Sequence, residues 1–125
     1  MENGDLVRCT YKTGGYIGEI ISQSPGSKTA VVKILAVTKH PRQGDLHNPN
    51  QVDVPLFHER KALSYTEKAN IPVTHLKPFE GDPPSYEESL RQAADTYAAE
   101  LRSNDSDFSK ACFSALQRVR EEYRV

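Results

Sequence analysis

A small, partly open SH3-like β-barrel followed by an antiparallel α-helical hairpin is the mainly β, partly α fold class that this sequence predicts. Three observations predict it. Up to about residue 82, apolar residues recur with a period of two, in short runs split by turn residues. Beyond Gly81-Asp82-Pro83-Pro84 they recur at spacings of three and four, the signature of helix faces. A long polar loop over 39–58 interrupts the first half, and loops of that length in a small domain are uncommon and usually functional or disordered. The 125 residues therefore divide into a barrel over 1–82 and a helical extension over 83–125, which needs a surface to pack on.

The first strand is read from Leu6, Arg8 and Thr10 alternating with Val7, Cys9 and Tyr11. Lys12-Thr13-Gly14-Gly15 follows as a turn, with its glycines expected to take the positive φ. Tyr16–Ile21 reads as the second strand, and Gly18 inside it suggests a bulge or tight bend. The β-branched run Thr29–Thr38 is apolar enough to be the central strand. After the long loop, Arg60–Tyr65 reads as a fourth strand, and Val73–Phe79 as a short closing strand or turn. Closing so short a sheet protects its edges.

Ser85-Tyr86-Glu87-Glu88 is a capping box, with a hydroxyl at the N-cap and a carboxylate three residues on. Tyr86, Leu90, Ala93, Ala94, Tyr97, Ala98 and Leu101 form one helical stripe. Ser103-Asn104-Asp105-Ser106 breaks it and offers new caps. Phe108, Ala111, Cys112, Ala115, Leu116, Val119 and Tyr123 form the second stripe, and so short a connection implies an antiparallel hairpin. The same prolines and Ser85-Tyr86 match a Pro-Pro-x-Tyr ligand motif, but so short a match is weak and the structural reading is preferred: the prolines stop the preceding strand and Ser85 starts the helix.

Charge narrows the function. The net charge is −1, with ten basic and nine acidic side chains in 1–82 against six and eight in 83–125. Neither half offers the one-sign field that a nucleic acid or anionic membrane rewards. No apolar run approaches the roughly 20 residues of a membrane span, so direct membrane insertion is not expected. The N-terminal Met1–Cys9 segment lacks an apolar stretch and has Arg8 directly before Cys9, so neither a secretory signal nor a lipid anchor at Cys9 is expected. Two cysteines far apart in sequence read as reduced, buried thiols of a cytoplasmic protein.

No catalytic residue, metal site or cofactor is expected. His40, His47 and His58, with Asp45, Asp53 and Glu59, lie seven and eleven positions apart rather than at paired zinc-ligand spacing. Neither Cys9 nor Cys112 has an activating base that the sequence can show. All four histidines fall outside the two helices, which argues against a phosphoacceptor histidine on a helix face. An RNA-binding barrel is the rival reading. Tyr11, Tyr16, Phe57 and Tyr65 would stack bases while Lys12, Lys39, Arg42, Arg60 and Lys61 touch phosphates. Asp45, Asp53 and Glu59 balance those cations, so no nucleic-acid partner is expected.

Tyr-Lys-Thr-Gly-Gly-Tyr-Ile-Gly-Glu-Ile (Tyr11–Ile20), His-Pro-Arg-Gln-Gly-Asp-Leu-His (His40–His47) and Val-Pro-Leu-Phe-His-Glu-Arg-Lys-Ala-Leu (Val54–Leu63) carry a family resemblance. Together with Asn70-Ile71-Pro72 and Ser89-Leu90-Arg91, they resemble the kinase-associated protein B family of spore-forming Gram-positive bacteria. The resemblance spans essentially the whole chain. It implies an SH3-like barrel with a helical extension, acting as a positive partner of the sensor histidine kinase B that feeds the sporulation phosphorelay. Any proximity to the membrane would then come through the kinase. Two surfaces compete for that contact. One is the loop face around His40, Gln43, Asp45, His47, Phe57, His58, Glu59 and Arg60; the other is the exposed part of the hairpin. The plainer role for the loop residues is to pin the loop to the barrel.

Overall fold

The computed structural model describes residues 2–44 and 59–125. Five antiparallel strands, β1 (Leu6–Tyr11), β2 (Gly14–Ser22), β3 (Thr29–Lys39), β4 (Lys68–Pro72) and β5 (Leu76–Pro78), pair in the order β4-β3-β2-β1-β5. The two end strands are joined directly by one 3-10 turn, Val73–His75. This is the partly open barrel that the alternating pattern predicts. In β1, Val7 and Cys9 are buried while Arg8 and Thr10 face out. In β3, Ala30, Val32, Ile34 and Ala36 are buried at every second position.

Gly18 allows the barrel to bend. A Cβ there would stand 2.4 Å from Val32 Cγ1 and 2.6 Å from the Lys33 carbonyl oxygen, and the β2–β3 register slips beside it. The β1–β2 turn departs from expectation. Positive φ falls on Lys12 (54°), whereas Gly14 and Gly15 already belong to β2. They are needed for space: a Cβ on Gly15 would lie 2.6 Å from Thr38 Oγ1.

The fourth strand also lies elsewhere. Arg60–Tyr65 is not a strand; β4 is Lys68–Pro72. Side chains intercept the backbone of the expected strand. The N–H of Arg60 donates to Gln43 Oε1, that of Ala62 to the Tyr123 hydroxyl, that of Leu63 to the Tyr16 hydroxyl and that of Ser64 to Glu67 Oε1. With its donors taken in this way, the segment has no ladder to join.

Two helices follow, α1 (Tyr86–Arg102) and α2 (Asp107–Tyr123). Each begins as its cap predicts: Ser85 Oγ accepts from the Glu88 N–H and Ser106 Oγ from the Ser109 N–H. Asp95 meets Arg120 and Arg102 lies over Phe113, so the helices run antiparallel. Ala94, Tyr97 and Ala98 of α1 pack with Leu116 of α2. Leu90 and Ala93 enter the barrel core beside Val7, Ile20, Ile34 and Ile71, and Tyr86 and Tyr123 border it. Ser89 fastens the layers, since its hydroxyl accepts from the Val37 N–H at 3.0 Å and donates to the Tyr86 carbonyl at 2.8 Å.

Candidate partner-binding surface

The loop face singled out from the sequence rests on a neck made by 40–44 and 59–63. His40 follows β3 and is 1% exposed, and Gln43 is 2% exposed. Their geometry is that of a clasp. Gln43 Nε2 donates to the Arg60 carbonyl at 2.8 Å and to the Pro41 carbonyl at 3.1 Å, while its Oε1 accepts from the Arg60 N–H at 2.8 Å. One side-chain amide thus does the work of a strand rung, joining residues seventeen apart. The Gln43 N–H donates to the Tyr97 hydroxyl at 2.9 Å, and its carbonyl accepts from the Cys112 thiol at 3.6 Å. Arg60 Nη1 donates to the Gly44 carbonyl at 3.1 Å, closing the neck a second time.

His40 completes the neck from the other side. Nδ1 lies 2.9 Å from the Pro41 carbonyl, which can only accept, so Nδ1 carries the proton. Nε2, 3.1 Å from the Tyr123 hydroxyl, then accepts from it, and that hydroxyl in turn accepts from the Ala62 N–H at 2.6 Å. The imidazole stacks on Tyr97 with centroids 5.9 Å apart. Burial holds the His40 pKa below its ordinary value; the Pro41 hydrogen bond opposes that shift and the Arg120 charge adds to it. Burial likewise pushes Tyr97 up to about 12 and raises the Cys112 thiol. Burial thus favours the uncharged form of each group.

The outer side of the neck is charged. Residues two apart on an extended segment share a face, as do residues four apart on a helix. Glu59 and Lys61 accordingly meet Arg118 and Glu122 in two ion pairs. All four side chains are between 42% and 58% exposed, so the pairs add little stability. Beside them opens a groove of about 560 Å³, lined by Tyr11, Lys12, Pro41, Arg60, Lys61 and Leu63. Lys12 sits over the Tyr11 ring at 5.5 Å.

Of the eight residues read as partner-binding, four can be located. His40 and Gln43 are buried in the clasp, whereas Glu59 is exposed and Arg60 half-buried at the groove. Asp45, His47, Phe57 and His58 lie outside the described residues. The sequence reading missed Tyr97, Cys112 and Tyr123 as supports of the neck, although a tyrosine on a buried stripe always brings a hydroxyl that needs a partner. It named Tyr11 and Lys12 only in the RNA-binding alternative, and it missed Leu63 as part of the groove wall. The base-stacking set of the RNA reading is not assembled, because Tyr16 is 1% exposed and its hydroxyl is used by Leu63. Among the described residues no group of three or more His, Cys, Asp or Glu side chains converges as metal ligands would.

Both cysteines are interior. Cys9 is 4% and Cys112 1% exposed, and burial pushes the Cys9 thiol up to about 11. An acyl chain on either sulfur requires the surrounding core to open. No helix among the described residues is long and apolar enough to cross a membrane.

A partly open, SH3-like barrel of five antiparallel strands with a helical hairpin packed on it and a side-chain-clasped loop neck defines a structural class of small proteins. Residues 11–124 match the family model described as kinase associated protein B, and the chain belongs to that family. It is 48% identical, over 122 residues, to the kinase-associated lipoprotein B of Bacillus subtilis (strain 168), covering 98% of this chain and 94% of the relative. It is also similar to the crystal structure of kinase-associated protein B from Bacillus cereus, with a TM-score of 0.86 and 38% identity. That match covers 100% of this chain and 99% of the other. The family's name describes association with a kinase.

Proposed function

We propose that this protein is a non-enzymatic adaptor that binds a sensor histidine kinase of the sporulation kinase B type and activates it for the phosphorelay. Membership of the kinase-associated protein B family across residues 11–124 carries the reading. Binding activates only by preference: the adaptor must bind one kinase conformation better than another. A preference of about 1.4 kcal/mol shifts that balance tenfold. The contact lies on the loop-neck groove, where Tyr11, Lys12, Glu59 and Arg60 offer aromatic and charged groups on a backbone held rigid by His40 and Gln43. The outer face of the hairpin is a poorer candidate, since α1 and α2 spend their apolar stripes on the barrel and on each other. The protein acts in the cytoplasm and reaches the membrane through the kinase.

Calorimetric titration against the purified cytoplasmic portion of the kinase tests this. Lys12 is exposed on a turn, so K12E leaves the fold intact and weakens binding about tenfold. Equal affinity for parent and variant would remove the groove from the contact.

A further inference from the structure

A second cleft lies where the Ser64–Glu67 turn meets the entry to α1, and the hydroxyl of its wall residue Tyr86 donates to the Leu63 carbonyl at the edge of the loop neck. Tyr65 stands on that turn at 57% exposure and is the exposed large hydrophobic side chain among the described residues. The turn presents it at a cost, because Thr66 is β-branched yet sits at φ 67°. Surrounding hydrogen bonds over-determine that conformation. The Thr66 N–H donates to the Ile34 carbonyl at 2.7 Å, the Ser64 N–H to Glu67 Oε1 at 2.8 Å, and the Glu67 N–H to the Ser64 carbonyl at 3.0 Å. Tyr65 lies 5.8 Å from Tyr86 with the rings tilted by 48°. With Leu35, Pro83, Pro84 and Glu87 the two tyrosines line an open cleft of about 550 Å³.

The chemistry of the walls selects the occupant. Pro83 and Pro84 have no N–H, so they offer an incoming strand no backbone donors. A polyproline II segment makes no internal hydrogen bonds and presents flat, rigid rings to aromatic walls, at low entropic cost. Glu87 is the charged residue lining the cleft; the flanking sequence also carries Glu80, Asp82 and Glu88, the last paired with Arg91 at 2.9 Å. Glu87 is 76% exposed and only loosely paired with Arg91 at 3.6 Å, leaving its carboxylate open to an incoming cation. A second copy of this chain fits badly, since the contact would set two acidic stretches against each other. We propose that this cleft docks an extended, proline-containing segment of a partner protein, with Lys or Arg at the end that meets Glu87. This inference does not rest on the kinase reading.

Amide-resolved NMR titration of the full chain tests it, with a synthetic proline-rich peptide carrying paired arginines at one end. The control is the same peptide with both arginines changed to glutamate. The expected result is shift changes centred on Leu35, Tyr65, Tyr86 and Glu87, with the arginine peptide about tenfold tighter than its control. Y65A should weaken binding about tenfold or more with the circular dichroism and melting temperature of the parent. E87K should abolish the preference for the arginine peptide. Shift changes confined to other surfaces, no response up to about 1 mM peptide, or undiminished binding by Y65A would each overturn the proposal. So would concentration-dependent self-association that perturbs the same amides without peptide.

Discussion

Gln43 and Arg60 exchange two hydrogen bonds, each 2.8 Å long, between the side-chain amide of one and the backbone N–H and carbonyl of the other. The long loop leaves and re-enters the fold at this rung. Because Gln43 is buried, its loss leaves two backbone groups of Arg60 short of partners, and each such group costs about 1–3 kcal/mol.

Gln43→Ala is therefore expected to lower stability by about 2 kcal/mol in urea unfolding. Gln43→Glu should cost more at neutral pH, because it turns a donor facing two carbonyls into a charged acceptor. Part of that loss should return in acid as the carboxyl protonates. A Gln43→Glu variant as stable as the parent at neutral pH would contradict the clasp.

Tyr123 ties the last turn of α2 to the neck through the Ala62 N–H and His40 Nε2. Tyr123→Phe keeps the ring and removes both bonds, so a loss of about 1–3 kcal/mol is expected. His40 Nε2 then loses its donor. Hydrogen exchange should quicken at Ala62 more than at amides of β1, and uniform quickening would argue against a local role for the hydroxyl.

His40 also sets a pH dependence. Its pKa is lowered in the folded chain, chiefly by burial, so below the unfolded value near 6.5 the unfolded state binds more protons. Its contribution is present in full above that value and is lost as pH falls toward the folded pKa. The limiting slope is about 1.4 kcal/mol per pH unit for one proton. Arg120 contributes in the same direction, while the Pro41 carbonyl opposes it. Urea midpoints should fall between pH 7 and pH 5, and His40→Gln should flatten that fall.

Much of the fold is legible locally. The period-two runs locate β1, β2 and β3, and Ser85 and Ser106 cap α1 and α2 as their spacing implies. The exchange of a strand between Arg60–Tyr65 and Lys68–Pro72 was not legible. The first segment has the better pattern, but its donors are satisfied by Gln43, Tyr16 and Tyr123, up to 61 residues away. Lys68-Ala69-Asn70-Ile71-Pro72 is polar and short, and it pairs because β3 offers it an edge. The site divides similarly. The sequence placed His40 and Gln43 on a candidate contact face of the long loop, yet only tertiary packing reveals that they hold the neck rather than line its surface.

The two thiols offer a direct probe of burial. Cys9 of β1 stands opposite Tyr16 of β2 and Leu76 of β5, with its pKa pushed up to about 11, and Cys112 is 1% exposed. Native protein should react with a thiol reagent far more slowly than urea-unfolded protein, with both sulfurs labelled only after unfolding. Fast labelling of Cys9 in the folded state would mean that β1 opens readily.

Removing residues 83–125 asks whether the barrel stands alone. Leu90 and Ala93 belong to the barrel core, and Ser89 takes the Val37 N–H. The shortened chain is expected to lose cooperative unfolding and to bind a hydrophobic dye. A sharp unfolding transition in that fragment would show that the helices are not needed by the barrel.

The rate at which the purified cytoplasmic portion of the sensor kinase labels itself from radioactive ATP, with and without this protein, tests the central claim most directly. The account predicts a saturable rise in that rate with added protein, smaller for K12E at the same concentration. A rate unchanged at concentrations that saturate binding would contradict it.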